Sequence, residues 1–521
     1  MRSRFLTSAT LVAILAGTPT PVPVPVAVAQ APNARGQGYC RNAAPLPQLP
    51  PETARRQQED DVHESDDAGG HHRDRMAVAE PPPPYPPPPP PAPVAPPSAA
   101  YDGTDMAAKV VVTGTRASGD GPPATAASPP DARIRPPHPP RREPQPQPQS
   151  GILTAGEHDD LLNPELYAAY VNRSSNLGQE AADLPRVDTT RVVRVDVHDR
   201  NGQPIPFADV VVTCSDGNSI TMATQADGSA VFFPGLDRLS ERISVSARKA
   251  GHTIAATRPV LITQADGGQI IGLTADRAAT NATKLDLMLV VDTTGSMGDE
   301  IRYLQAEMRS IIGAIAAKHR DLDIRVGFVF YRDLRDDYVT RTVGFDRDIG
   351  RIQGALARQQ ANGGGDYPEA MDQALIRAVG QDWRADAVKS LLLVADAPPH
   401  DDRFARTWQA AEAARAKRIH ITPVAASGVA DKAEYAMRAM AAATQSRYLF
   451  LTDDSGVGNP HAPPAIDCYL VTRLDTLVRR VIDSQISGRR IEPDENEIIR
   501  SVGNYDAGKC ILPADFKWQN G

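Results

Sequence analysis

From Lys284 onwards, continuous apolar runs alternate with segments in which apolar residues recur every three or four positions. Runs of the first kind are typical of strands buried on both faces, and segments of the second kind are typical of helices that cover a sheet. The predicted strands are 284–292, 323–333, 340–345, 388–396, 419–426 and 447–453. The predicted helices are 299–318, 347–359, 368–380, 404–417, 432–444 and 469–487. This alternation predicts an α/β domain over residues 284–487, built on a doubly wound, mostly parallel sheet.

Residues 191–277 have a different period, because apolar and polar residues alternate there, as in RVVRVDV and ITMATQADGSAVFF. Asn201-Gly202 and Asp227-Gly228 are turn signals between such runs. Short strands at this spacing predict a small all-β sandwich. The stretches DRNGQPIPFADV and ADGSAVFFPG resemble the carboxypeptidase-regulatory or transthyretin-like family of Ig-like folds. That resemblance implies a structural or adhesive module without catalytic residues.

The amino terminus has the pattern of a secretory signal peptide over residues 1–29. Arg2 and Arg4 precede a short apolar stretch, and the small-residue sequence 27–29 follows. No apolar run reaches the ~20 residues that a membrane-spanning helix needs. We therefore expect an exported protein that is periplasmic, associated with the outer membrane or extracellular, with no transmembrane span.

Residues 30–150 are rich in proline, with PPPPYPPPPPPAPVAPP at 81–97. Such a composition cannot bury enough apolar area to fold, so we expect an extended, disordered region. It is either a spacer that holds the folded part away from an attachment point or a passive solvated tail. Residues 151–190 are predicted to be a helical lead-in and linker with a helix beginning at Asn163-Pro164, and 488–521 a carboxyl-terminal tail.

One β-prone run, VVVTGTR at 110–116, interrupts the proline-rich region. It resembles a stretch near the amino terminus of TonB-dependent outer-membrane receptors. The resemblance implies a weak TonB-like contact in which a short strand adds to the edge of a partner's sheet. The alternative is an isolated strand-forming segment without a partner.

The net charge of −8 and the lack of a basic stripe argue against a nucleic-acid partner. The four cysteines are Cys40, Cys214, Cys468 and Cys510. In an oxidising compartment, Cys468 and Cys510 are able to tie the tail to the last domain. Cys214 lies in the apolar run VVVTCS and is predicted to be a buried thiol. The pairing itself does not follow from the sequence.

The residues that are candidates for binding a ligand lie where the predicted strands end. Asp292 ends the first strand, Asp396 ends the fourth, and the loop NGGGDYPEAM at 362–371 opens the helix between them. Ligands bind beyond the carboxyl ends of the strands in such sheets. The predicted metal ligands are Asp292, Thr294, Ser296, Asp366 and Asp396. An all-oxygen set of this kind suits Mg²⁺, with Mn²⁺ or Ca²⁺ as alternatives.

The motifs DTTGSM, YRD, GGGDYPEA and DAPPH, in this order, resemble the bacterial branch of the von Willebrand factor A (VWA) domains, whose fold is Rossmann-like. In that family, Asp292, Thr294 and Ser296 match the first loop of the metal-ion-dependent adhesion site. Asp366 and Asp396 match the second and third elements. The resemblance implies a non-enzymatic protein that binds a protein partner, in the cell envelope in this case, with a partner carboxylate completing the metal coordination.

The second element departs from the adhesive members, which carry a threonine where this chain presents Asp366. A third carboxylate raises cation affinity and makes the ion less electrophilic toward a partner's carboxylate. Asp366 is either a ligand, an outer-shell partner, or the N-cap of a helix that begins at Pro368. Arg332, Asp333 and His400 are either outer-shell partners of the site or solvated loop residues, with the second interpretation favoured. Tyr331 and Trp383 are interpreted as packing residues.

The same motifs are compatible with two other functions. DTTGS is close to the phosphorylation motif of the haloacid-dehalogenase phosphotransferases, which would make Asp292 a nucleophile and Lys389 its lysine partner. The residue two positions after the nucleophile is Thr294, where most of those phosphatases carry an aspartate. The second alternative is a structural domain with a vestigial site.

Overall fold

The structure is a computed structural model that describes residues 38–52, 148–174, 191–263, 267–457 and 460–513. The predicted signal peptide at 1–29 and the TonB-like stretch at 110–116 lie outside these residues, as does most of the proline-rich region. Within the described ranges, none of the helices is long and apolar enough to cross a bilayer.

The strands are β1 Thr154–His158, β2 Arg191–Asp199, β3 Asp209–Cys214, β4 Ser219–Ala223, β5 Ser229–Phe232, β6 Arg242–Lys249, β7 His252–Ala256, β8 Val260–Leu261, β9 Gly267–Ala275, β10 Lys284–Asp292, β11 Asp323–Tyr331, β12 Thr340–Asp346, β13 Val388–Ala395, β14 His420–Ala425, β15 Tyr448–Thr452, β16 Tyr469–Arg473, β17 Arg500–Val502, β18 Tyr505–Asp506 and β19 Lys509–Cys510. The α-helices are α1 Pro164–Ser174, α2 Ile301–Lys318, α3 Ile349–Ala357, α4 Met371–Val379, α5 Phe404–Ala416, α6 Asp431–Ala443 and α7 Leu474–Ser487. The six predicted strands from Lys284 onwards coincide with β10 to β15.

The largest sheet has nine strands in the order β12-β11-β10-β13-β14-β15-β1-β16-β17. Strands β11, β10, β13, β14 and β15 run parallel, and the outer strands pair antiparallel. It is therefore a mixed, mostly parallel central sheet, which fits the predicted Rossmann-like α/β fold.

Each face of this sheet carries its own hydrophobic core. Along β10, Met288 and Val290 pack into the core formed with α4, α5 and α6. Leu287 and Leu289 pack into the opposite core with α2, α3 and α7. Because successive residues of a strand point to opposite faces, a strand buried on both sides must be apolar at nearly every position. This explains the uninterrupted run in the sequence.

Three strands of this sheet come from segments that were predicted otherwise. Strand β1 lies in the predicted helical lead-in and inserts antiparallel between β15 and β16. Strand β16 occupies the start of the predicted helix 469–487, which begins only at Leu474. Strand β17 lies in the predicted tail and pairs with β16. Helix α1 begins at Pro164, as predicted.

Residues 191–275 form two smaller sheets, β5-β2-β9 and β4-β3-β6-β7, with β8 on β6. Alternate residues of these strands, such as Val195, Val210 and Val245, share a third core. Gly202 and Gly228 adopt φ values of 76° in the two predicted turns. The assignment of this region to an Ig-like family stays a prediction.

Two disulfides join distant parts of the chain. Cys468 bonds to Cys510, as the sequence allowed. Cys40 bonds to Cys214, so the prediction of a buried free thiol at Cys214 is wrong. The reason is tertiary, because residues before the proline-rich region lie against the end of β3: Asn42 donates to the carbonyl of Ser219 at 2.9 Å.

Residues 38–52 continue from this disulfide across the molecule and are named here the strap. Arg41 pairs with Glu412 of α5 at 3.0 Å, and Glu52 accepts a hydrogen bond from Thr342 of β12 at 2.6 Å. The chain is held again at Gly151, whose amide donates to Glu307 at 3.0 Å. The prediction that the whole of residues 30–150 is disordered is therefore wrong for the strap, which is held against folded structure, while the spacer function stays a prediction.

Candidate metal centre

Asp292 and Asp396 lie at one edge of the central sheet because the strands that carry them are neighbours. Strands β10 and β13 are parallel, with Val291 opposite Val394. Asp292 is the last residue of β10, and Asp396 follows β13 directly. Both carboxylates are buried, at 0% and 2% exposure.

The loop after β10 curls back over the strand end. The amide and the hydroxyl of Thr294 donate to Oδ1 of Asp292 at 2.9 and 2.7 Å, and the hydroxyls of Thr294 and Ser296 lie 3.0 Å apart. Gly295 donates its amide to the carbonyl of Gly363 at 3.1 Å. A Cβ at position 295 would lie 2.9 Å from that carbonyl oxygen, so the close approach of the two loops requires glycine.

The hydroxyl of Thr293 anchors the same loop from the other side. It contacts the carbonyl of Tyr331 at 2.8 Å and the hydroxyl of Tyr338 at 2.7 Å. These contacts hold Asp292, Thr294 and Ser296 in one compact group, which is the arrangement that their spacing predicted.

The electrostatics of Asp292 favour a bound cation. Burial and the neighbouring charge of Asp396 raise the pKa of Asp292 to about 7, although hydrogen bonds from Thr294 act in the opposite direction. Oδ2 of Asp292 has no hydrogen-bond partner, and among the described residues no basic side chain forms an ion pair with this carboxylate. Two buried carboxylates in this position repel each other, and a divalent cation between them would remove the repulsion.

Asp366 is exposed, as is Ser296, whereas Asp292, Thr294 and Asp396 are buried. Asp366 is also not a helix N-cap, so that interpretation is wrong: helix α4 begins at Met371 with Ala370 as its N-cap residue. The helix starts late because Glu369 forms an extended bridge to Pro399, with its amide donating to the carbonyl of Pro398 at 2.9 Å.

Glu369 is a site residue that the sequence analysis missed. Its side chain is 3% exposed, and its Oε2 has no hydrogen-bond partner. Burial, followed by the charges of Asp292, Asp333, Asp396 and Asp336, raises the pKa of Glu369 to about 9. The signal was present, since a second acidic residue follows Asp366 within the same glycine-rich loop, but spacing alone does not tell which of the two turns inward.

Arg332 and Asp333 are buried beside the site and His400 is partly exposed, so the interpretation of Arg332 and Asp333 as solvated loop residues is wrong. The imidazole of His400 contacts Asp333 at 2.6 Å, and Arg332 donates to the carbonyl of Thr293 at 3.2 Å. Tyr331 is fully buried, and Trp383 packs edge-on against Phe345 at 4.8 Å between ring centroids. Trp383 therefore has the packing role that was predicted for it. The buried Tyr331 is also part of the site, because burial and then the charges of Asp292, Asp396 and Glu369 raise the pKa of its hydroxyl.

A cavity of about 450 Å³ opens beside these groups and is lined by residues that include Ser296, Glu369 and Asp396. In the part of the chain that the structure describes, no group of three or more carboxylate, imidazole or thiolate side chains is placed to hold a metal ion. An ion here would also need the hydroxyls of Thr294 and Ser296. The donors are all oxygen, and the acceptor Oδ2 of Asp292 is unsatisfied, so these residues fit a hard divalent cation.

Lys389 does not occupy the place that a phosphotransferase would require. It pairs in register with Asp286, six residues before Asp292 on the neighbouring strand, and donates to the carbonyl of Lys417 at 2.8 Å. Six residues of a parallel strand span ~20 Å. Lys389 therefore lies at the opposite edge of the sheet from Asp292.

The site lies in a part of the chain that matches a known protein family. Residues 286–459 match the family described as the von Willebrand factor A domain. The alpha-protein kinase vwkA of Dictyostelium discoideum is 30% identical over 122 residues, which are 23% of this chain and 19% of that protein. The putative ariadne-like RING finger protein R811 of Acanthamoeba polyphaga mimivirus is 34% identical over 134 residues, which are 24% of this chain and 13% of that protein. The chain thus spans less than one fifth of either relative.

Among solved structures, the conserved hypothetical protein BatB from Bacteroides thetaiotaomicron matches with a TM-score of 0.26 and 12% sequence identity. The match covers 39% of this chain and 98% of the BatB chain. Residues 286–459 of the present chain are a von Willebrand factor A domain.

Proposed function

We propose that this chain is a non-enzymatic binding protein whose VWA domain captures a protein partner through a divalent cation. Asp292, Thr294, Ser296 and Asp396 would hold the cation, which we propose to be Mg²⁺, with Mn²⁺ or Ca²⁺ as alternatives. The observation that carries the proposal is the buried pair of Asp292 and Asp396, in which Oδ2 of Asp292 lacks a hydrogen-bond partner. The bound ion would supply a positive charge and an open coordination position for a partner's oxygen atom.

The proposed location is outside the cytoplasm, with a partner in the cell envelope. The signal-peptide pattern at 1–29 supports export, and so do the two disulfides, because disulfides persist mainly in oxidising compartments. The contact through 110–116 is a separate prediction that the metal centre does not require.

The test is calorimetric titration of the mature chain with Mg²⁺, comparing the wild type with Asp292→Asn and Asp396→Asn. We expect each substitution to weaken Mg²⁺ binding by at least about tenfold, because each removes a buried anionic oxygen ligand. Asp382→Asn is the matched control, since its carboxylate is 97% exposed and lies 3.7 Å from Arg325, near the start of β11 and away from the strand ends that carry the site. Equal Mg²⁺ affinity in all four proteins would contradict the proposal.

Partner binding is tested separately by pull-down from an envelope fraction, with and without a chelator. Capture that disappears with the chelator and in Asp292→Asn supports the metal-dependent contact. An acid-stable phosphate adduct on Asp292 would instead support the phosphotransferase alternative. Metal binding without any metal-dependent capture would favour the structural alternative.

A further inference from the structure

We infer that Glu369, and not Asp366, supplies the third negative charge of the metal centre, and that this charge makes the loaded centre select a basic side chain of the partner rather than a carboxylate. This inference rests on the proposed metal-dependent binding and names the chemistry of the partner.

Glu369 is positioned for this role by its backbone. Its amide donates to the carbonyl of Pro398 at 2.9 Å, two residues beyond Asp396, so the two acidic loops are joined at their base. The Glu369 side chain is 97% buried, lines the same cavity as Ser296 and Asp396, and leaves Oε2 without a hydrogen-bond partner. A buried carboxylate oxygen without a donor is costly, so it points to a missing positive group in that cavity.

Gly364 makes room for this carboxylate. A Cβ at position 364 would lie 3.1 Å from Oε1 of Glu369 and 3.4 Å from Cβ of Thr294. The Glu369 carboxylate and the loop of Asp292 are therefore separated only by the backbone of the glycine-rich loop. This proximity agrees with the contribution of the Asp292 charge to the raised pKa of Glu369.

Asp366 lines the same cavity as Glu369 but occupies its exposed rim. Its neighbour Tyr367 is turned toward a different loop, where its hydroxyl donates to the carbonyl of Gly428 at 2.9 Å and accepts from the amide of Ala430 at 2.9 Å. Asp366 is thus available to a partner at the mouth of the cavity, while Glu369 is available to the ion.

The charge balance of the loaded centre follows from these positions. A bound divalent cation would favour the ionised forms of the nearby carboxylates, so Asp292, Asp396 and Glu369 would bring three negative charges to the loaded centre, of which the cation would neutralise two. The remaining negative charge repels a partner carboxylate and attracts an ammonium or guanidinium group. The rim adds the exposed carboxylate of Asp366 and the half-exposed ring of Tyr367, which favour a cation as well. A carbonyl oxygen or water would complete the coordination of the ion.

The first experiment is Mg²⁺ titration of the wild type, Glu369→Gln, Glu369→Asp and Asp366→Asn. We expect Glu369→Gln to weaken Mg²⁺ binding by about tenfold or more, as outer-shell substitutions at metal sites do. Glu369→Asp retains the charge and should stay closer to the wild type, and Asp366→Asn should change the affinity by less than about twofold. Thermal unfolding of each variant separates a lost ion from a lost fold.

The second experiment measures charge preference with two labelled probes, a lysine-containing and an aspartate-containing decapeptide of otherwise identical glycine and serine composition, at saturating Mg²⁺. We expect the wild type to bind the lysine probe about tenfold more tightly, which corresponds to about 1.4 kcal/mol. Glu369→Gln should lose most of this preference, and Glu369→Asp should keep it.

The outcomes separate the inference from the proposed function. A wild-type chain that binds no Mg²⁺ overturns the proposed function and, with it, the inference. If the wild type and Glu369→Gln bind Mg²⁺ equally, only the role of Glu369 is overturned. A wild-type preference for the aspartate probe overturns the selection of a basic partner group.

Discussion

At the scale of single residues, the candidate metal centre contains two buried carboxylates that repel each other. Asp292 is completely buried next to Asp396, and burial is the larger of the two causes that raise its pKa. Such an arrangement destabilises the ion-free protein and persists where binding requires it. Removal of the charge should therefore affect stability differently with and without the ion.

We predict that Asp292→Asn raises the free energy of unfolding of the chelator-treated protein by ~1–3 kcal/mol, because it removes one of two repelling carboxylates. Mg²⁺ should remove or reverse this advantage of the variant, since the wild type binds the ion more tightly and gains more stability from it. Denaturant unfolding in the two conditions checks both expectations. A variant that is less stable than the wild type in the chelator would show that the carboxylate serves the fold and not an ion.

At the scale of elements, the strand β1 completes the central sheet from outside the predicted domain. Gly156 allows this, because a Cβ there would lie 2.4 Å from the ring of Phe450. The carboxylate of Glu157 on β1 is almost fully buried and contacts Arg447 at 2.6 Å and Arg480 at 3.3 Å. Burial alone would raise the pKa of Glu157, but Arg447, Arg490 and Arg480 outweigh it and lower the pKa to about 2.

We predict that Glu157→Gln lowers the free energy of unfolding by ~3–5 kcal/mol, because it leaves buried guanidinium groups without their carboxylate. In the wild type, the lowered pKa of Glu157 contributes stability that is present above about pH 4.5 and is lost as the pH falls toward 2. Denaturant unfolding between pH 7 and pH 3 measures both effects.

Glu165→Gln is the control for this prediction, since Glu165 is exposed in the first turn of α1 and should change stability by less than ~0.5 kcal/mol. The variant Glu157→Gln should also show a weaker loss of stability with falling pH than the wild type. An unchanged pH dependence would mean that other carboxylates dominate acid unfolding.

At the scale of the whole molecule, a disulfide covalently links the strap to strand β3, which is remote from it in sequence. Cys40 and Cys214 are 174 residues apart, and the strap passes from the small sheets to β12. Leu46 and Leu49 of the strap pack against the core that contains α4 and α5. The small sheets meet α5 directly as well, through the buried pair of Asp237 and Arg415 at 2.7 Å.

We predict that cleavage within the proline-rich segment leaves the two fragments joined. A site for a sequence-specific protease, inserted between Pro97 and Ser98, should give fragments that migrate together in a denaturing gel without reductant and separate with it. In Cys40→Ser the fragments should separate without reductant. Separation of the wild-type fragments in the absence of reductant would contradict the Cys40–Cys214 linkage.

The sequence by itself determined the strands β10 to β15, most of the helices and the edge at which Asp292 and Asp396 meet. These features follow from local patterns: a strand buried on both faces must be continuously apolar, and parallel neighbours bring their carboxyl ends to one edge. The first loop was predictable for the same reason, since the spacing of Asp292, Thr294 and Ser296 allows only a tight curl over the strand end to bring them together.

Which segments join the central sheet and the small sheets from distant parts of the sequence is visible only in the tertiary structure. The pairing of β1 with β15 and β16 spans almost 300 residues of sequence, and the Cys40–Cys214 bond depends on the path of the strap. Neither the strand pairing nor the disulfide leaves a local signal in the sequence. Any exposed strand edge could pair with β1, and any nearby cysteine could bond to Cys40. The choice of Glu369 over Asp366 is also tertiary, since it depends on the bridge to Pro399 that delays helix α4 and turns one of two nearby carboxylates into the interior.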